Sequence, residues 1–131
     1  MLNYSEATLA QAHYDLGKIN QIFLDEVKVI KDSEKYIRWK IIVLFYRTFA
    51  SMKGYLILKK DIAVGEYSNY NHQVINSYVR CRNELGDKRA TYISLFKLSW
   101  RCRYDPYEIK ELNEATFKKY EKEVEEILSM I

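Results

Sequence analysis

The sequence predicts an all-α protein, an antiparallel up-down bundle of four to five helices. Apolar residues recur at three-and-four spacing along most of the chain, and no period-two segment competes. One proline and four glycines in 131 residues leave little material for turns, so the elements must be few and long. The chain, residues 1–131, is read as one domain, large enough for a single helical core to fold unaided. A hydrophobic content of 48% with twelve tyrosines excludes a disordered chain.

Helix one begins after Ser5, a good N-cap, and carries Leu9, Ala12, Leu16, Ile19, Phe23, Val27 and Ile30 as a single apolar stripe. Asp32 and Ser33 form a short turn, with Ser33 able to cap the next helix. Helix two covers about Lys35–Lys59. Its unbroken apolar run Ile41–Tyr46 requires protein on nearly every side, so it is the central post. Residues 61–71 read as a loop ending on Asn71, a cap for a third helix over His72–Leu85 that stops at Gly86. Helix four spans Lys88–Tyr104, with Ile93, Phe96, Trp100 and Tyr104 on one inward face, and ends at Asp105–Pro106. A last helix starts near Asn113 and shows Phe117, Tyr120, Val124, Ile127 and Ile131.

No charged segment followed by an apolar stretch opens the chain, so no signal peptide is expected. The most apolar window, residues 36–58, carries Arg38, Lys40, Arg47 and Lys53, a loading too costly for a membrane span. The expectation is a cytoplasmic protein with no membrane partner. Cys81 and Cys102 form no paired motif, and with only two histidines the chain offers no metal site. They read as reduced thiols acting as small core hydrophobes, and no cofactor is expected.

Charge is the informative part. Residues 35–60 hold seven basic groups and no acid, and residues 72–104 hold seven basic groups against two acids, whereas both ends of the chain are net acidic. A formal net charge of +3 therefore hides a basic middle. Acidic outer helices pairing with basic inner ones account for part of this. A residual basic face from helices three and four, interleaved with Tyr78, Tyr92, Trp100 and Tyr104, suits phosphates and stacked bases.

The order of four segments resembles the HEPN superfamily of small helical bundles, specifically its stand-alone prokaryotic members. The segments are "QAHYDLGKINQIFL", with Ala12 and His13 at its start, and "WKIIVLFYRTFASMKGYL", rich in aromatic and small residues. Then come "YNHQVINSYVR", with a histidine after the loop, and "YISLFKLSWRCRYDPYEI", of the type Y-x-x-L-x-x-x-S-x-x-x-R-Y. The likeness covers about residues 10–109. It implies the bundle fold, a tendency to form homodimers, and association with RNA or nucleotide, in a defence or toxin–antitoxin setting. The RNases of that superfamily carry an arginine, four to six intervening residues and then a histidine, and neither His13 nor His72 has that arginine. The resemblance therefore does not carry the catalytic pair over.

Candidate residues follow from position. His72, at the start of helix three, can meet an anion held by free backbone N–H groups, and with Arg80 two turns on it can bind a phosphate and move a proton. The plain alternative is a surface histidine beside a helix cap. Arg80, Arg82, Lys97, Arg101 and Arg103 are the candidate phosphate contacts, with Lys97 and Arg101 one turn apart on a shared face. His13 flanks the helix-one stripe as a half-buried packing residue. Arg47, inside the apolar run, needs a partner, and a helix-one–helix-two hairpin puts Asn20 or Asp15 in reach; a structural clamp is the first reading and a phosphate ligand the second. The functional expectation is RNA or nucleotide binding. The alternative is a non-catalytic helical adaptor that packs into a larger complex, and salt dependence separates the two.

Overall fold

The structure, a computed structural model, describes residues 5–29, 36–62, 71–105, 107 and 109–131. Five α-helices form among them: α1 (Glu6–Lys28), α2 (Ile37–Leu58), α3 (His72–Cys81), α4 (Lys88–Tyr104) and α5 (Glu114–Met130). The expected all-α bundle is what the chain builds. The Asp32–Ser33 turn, Ile30, Pro106 and most of the 61–71 loop lie outside the described residues.

The helix starts follow local side-chain chemistry. Ser5 Oγ accepts the Thr8 N–H at 3.1 Å, Asn71 Oδ1 accepts that of Val74 at 3.0 Å, and Asn113 Oδ1 accepts that of Thr116 at 2.9 Å. α2 ends through Lys60, whose φ of 65° lets Asp61 N–H reach back to the Leu56 carbonyl at 3.0 Å. α3 is shorter than its apolar pattern suggests. It stops at Cys81, and after Arg82 the chain makes a separate 3-10 turn, Asn83–Leu85, closed by Gly86 at φ 55°.

α2 is the post the others surround. Ile41, Leu44, Phe45, Met52, Leu56 and Ile57 are buried on it, and Lys40, Thr48 and Ser51 are buried with them. By length and composition it could cross a membrane, but 67% of its most apolar stretch is buried inside the protein. α1 and α4 run antiparallel to α2, and α5 runs antiparallel to α4. Ser94 bonds Tyr120 at 2.5 Å, and the Lys88–Glu126 and Arg101–Glu111 pairs step along α4 and α5 in opposite senses. The short α3 is the exception to alternation: it runs alongside α2 in the same sense. His72 packs beside Phe45 and Phe49 near the middle of α2, while Arg82 reaches Lys59 and Asp61 at its end.

α1 does not bury the stripe its large apolar residues mark. Leu16, Ile19 and Phe23 are 49%, 61% and 51% exposed, and Ala12 is exposed as well. The buried line is Leu9 with Ala10, Gly17 and Leu24, the last three seven residues apart. Close approach to α2 selects small residues there. A Cβ on Gly54 would come within 2.9 Å of the Ala10 carbonyl, and one on Gly17 would overlap the Arg47 guanidinium and meet Ser51 Oγ at 2.8 Å.

α4 differs from expectation in the same way. Trp100 and Tyr104 face outward, 51% and 60% exposed and packed on each other with ring centroids 5.0 Å apart. Ile93 is buried and Phe96 packs against the core as expected, and the rest of the inward face is Tyr92, Leu95, Leu98, Ser99 and Cys102. Trp100 is therefore not a core residue. The two cysteines are free and divided: Cys102 is buried as expected, but Cys81 is exposed.

Candidate functional site

α3 and α4 lie side by side and leave a groove between them. One section, about 390 Å³, is lined by Gln73, Asn76, Ser77, Arg80, Phe96 and Lys97. The next, about 660 Å³, shares Arg80, Ile93 and Lys97 with the first and continues past Ser94 to Arg89 and Asp87. Arg80 and Lys97 are both exposed and form no ion pair among the described residues. Arg89 is already committed. It donates to the Gly86 carbonyl at 3.0 Å, the Arg80 carbonyl at 2.9 Å and Asn83 Oδ1 at 3.0 Å, pinning the turn between the helices. Asn76 is buried on the groove floor with its Oδ1 lacking a hydrogen-bond partner among the described residues.

Lys97, Trp100 and Tyr104 recur at three-and-four spacing, so the exposed aromatic pair continues the face that Lys97 begins. Basic groups that can hold phosphates thus run into rings that can carry bases.

His72 is placed elsewhere. Its ring lies 4.6 Å from Phe49, 5.4 Å from Phe96 and 5.6 Å from Phe45, centroid to centroid. Burial, then the Arg103 and Lys53 charges, hold its pKa below the ordinary imidazole value. Its Nδ1 is buried with no partner among the described residues. It lines neither section of the groove, so the anticipated pairing of His72 with Arg80 on one phosphate does not occur. Arg103 is what approaches His72. Its guanidinium bonds the Tyr46 hydroxyl and lies 5.2 Å over the Tyr46 ring and 5.1 Å over that of Tyr104. The imidazole thus lies in an aromatic box beside a guanidinium whose charge opposes its protonation.

The other anticipated phosphate contacts hold the fold. Arg82 Nε pairs with Asp61 at 2.7 Å, its Nη2 donates to the Lys59 carbonyl at 3.1 Å, and Glu84 stands 3.6 Å away. Glu84 also accepts the Tyr55 hydroxyl at 2.5 Å; burial and that bond push the Tyr55 pKa up to about 12. Arg101 pairs with Glu111, with Asp105 at 3.9 Å. Both arginines are neutralised by acids far along the chain or beyond their own helix. Of the five basic candidates, Arg80 and Lys97 converge on one groove, Arg103 joins His72, and Arg82 and Arg101 do neither.

The basic residues of α2 are each engaged inside the protein. Arg38 donates to the carbonyls of Cys102, Asp105 and Tyr107 at 3.3, 2.7 and 2.5 Å, closing the end of α4. Lys40 is buried and meets Glu114 at 3.0 and 3.2 Å, 5.0 Å over the Phe117 ring. Lys53 lies 5.4 Å over the Phe49 ring. Arg47 has neither Asn20 nor Asp15 as partner; its Nη1 donates to Ser51 Oγ at 2.5 Å, one turn along its own helix. Among the described residues no group of three His, Cys, Asp or Glu is placed to hold a metal ion. No family model, curated protein or solved structure matches the chain.

Proposed function

We propose that the chain is a HEPN-like helical domain that binds RNA or nucleotide phosphates along the α3–α4 groove, as a component of a defence or toxin–antitoxin system. The observation that carries this reading is the convergence of Arg80 and Lys97, from two helices, on one groove with no acid paired to either among the described residues. A cation left without a counter-charge is available to a phosphate, and two spaced along a groove can follow a backbone. The outward Trp100–Tyr104 pair gives adjoining bases a surface to stack on. Because His72 lies outside the groove, the reading is binding, with no catalytic step assigned.

Single-stranded RNA binding, measured by fluorescence anisotropy across a salt series, tests this. Arg80→Gln and Lys97→Gln should each weaken binding and lower the salt slope by about 0.7. Trp100→Ala should weaken binding by roughly 1–3 kcal/mol while leaving the melting temperature near that of the wild type, since its ring is outside the core. An Arg80→Gln/Lys97→Gln protein that stays folded and binds with unchanged affinity and slope overturns the reading.

A second reading, a helical adaptor in a larger protein complex, is favoured by a different face. Leu16, Ile19 and Phe23 of α1 and Trp39 of α2 are all exposed, and Phe23 and Trp39 border a small apolar depression of about 190 Å³. Association through that face would be insensitive to salt.

A further inference from the structure

We infer that the cleft between α1 and α2 is a second binding site, taking an organic phosphate whose anionic group is held by Arg47 and whose ring body lies between tyrosines. It is independent of the α3–α4 groove. The cleft holds about 610 Å³, within the size range of sites for small organic ligands and far larger than a bare phosphate needs. Lys18, Arg47 and Lys59 line it, none of its lining side chains is acidic, and Ile131, the last residue of the sequence, lines it as well.

Arg47 is the centre of the argument. A half-buried guanidinium normally sits against a carboxylate, because an uncompensated charge out of water is costly. Here its partner among the described residues is the neutral Ser51 hydroxyl, and its Nε is buried with no hydrogen bond. Gly17 on the facing helix is what admits it, since a methyl group there would overlap the guanidinium. Burial depresses the Arg47 pKa with no anion to offset the effect. The acids nearby are otherwise engaged: Asp15 accepts from Gln11 at 2.9 Å, and Glu84 accepts from Tyr55 while its charge also reaches Lys59. An arginine fork with unused donors matches a phosphate or carboxylate geometrically. Three cations in one cleft favour the more highly charged phosphate monoester. Tyr14, Tyr55 and Leu58 form the apolar part of the wall, suited to a ring rather than to water alone.

The test is calorimetric titration and thermal melting of the full chain with three probes: adenosine monophosphate, inorganic phosphate and adenosine. Adenosine monophosphate should bind saturably, more tightly than inorganic phosphate, and raise the melting temperature, while adenosine should not. Arg47→Met should weaken that binding by about ten- to a hundredfold. It should melt no lower than wild type without ligand, because it removes a charge that lacks a counter-ion. Lys18→Gln, on the exposed side of α1, should weaken binding without touching the core. The Arg80→Gln/Lys97→Gln protein should bind the nucleotide as wild type does, whatever happens to its RNA affinity. Absence of saturable binding, or equal affinity of the wild type, Arg47→Met and Lys18→Gln proteins, overturns the inference. So does nucleotide binding that disappears in Arg80→Gln/Lys97→Gln and survives in Arg47→Met.

Discussion

Glu114→Ala is expected to cost the fold about 3 kcal/mol, and to cost more than Lys40→Met at the other end of the same contact. The Lys40 side chain is fully buried, and Glu114, with 30% of its side chain in water, is the one acid paired with it among the described residues. Removing Glu114 strands an ammonium group between α2 and α5 above the Phe117 ring, which offsets only part of the charge. It also removes the acid from the first turn of α5, where it opposes the helix dipole. Lys40→Met removes the charge and keeps most of the stem that fills the space. Urea unfolding of both single variants and the double variant checks this. The double variant should recover most of what Glu114→Ala loses. Equal losses for the two single variants would mean that water reaches Lys40 and the pair is not a buried contact.

Arg38→Met should be nearly as damaging, by about 3 kcal/mol, because charged donors to backbone carbonyls are among the stronger protein hydrogen bonds. One guanidinium reaches the carbonyls of Cys102, Asp105 and Tyr107, which the end of α4 leaves without helical partners. Arginine spreads these donors over two nitrogens, whereas the three of lysine sit on one, so Arg38→Lys should restore only part of the loss. Thermal melting of the two variants gives the ranking. A wild-type melting temperature for Arg38→Met would show that water serves those carbonyls equally well.

Both contacts join residues more than sixty positions apart, and that separates what was legible in the sequence from what was not. Ser5 and Asn71 were readable as caps, and Asn113 as the start of the last helix, because such signals depend on three or four residues in a row. The bounds of α4, Lys88–Tyr104, were readable for the same reason. Which face of α1 turns inward was not, and on α4 only the Ile93 and Phe96 half of the expected face was. The pattern rewards large apolar residues, whereas close helix contact selects small ones: Ala10, Gly17, Ser99 and Cys102 lie inside, and Phe23 and Trp100 outside. Arg80 and Lys97 were recognisable as basic groups on neighbouring helices. That Arg82 and Arg101 are spent on Asp61 and Glu111 depends on where a turn and a loop bring those acids, which no local spacing records. Arg47 was rightly singled out as a charge in an apolar run. Its failure to find an acid became visible only once Gly17 was seen opposite it.

α1 leans on one neighbour. Its packing is almost all with α2, whereas α2 is also held by α4 and α5. A helix attached along one side can lift away without dismantling the rest, so α1 can open as a unit. Its amide hydrogens should exchange with deuterated water well before those of α2, through an event that leaves the α2–α4–α5 core closed. That opening also takes the cleft apart, since Lys18 departs with α1 while Arg47 stays with α2. An anion bridging the two would act as a latch, and slowed exchange along α1 is where its presence would first be seen.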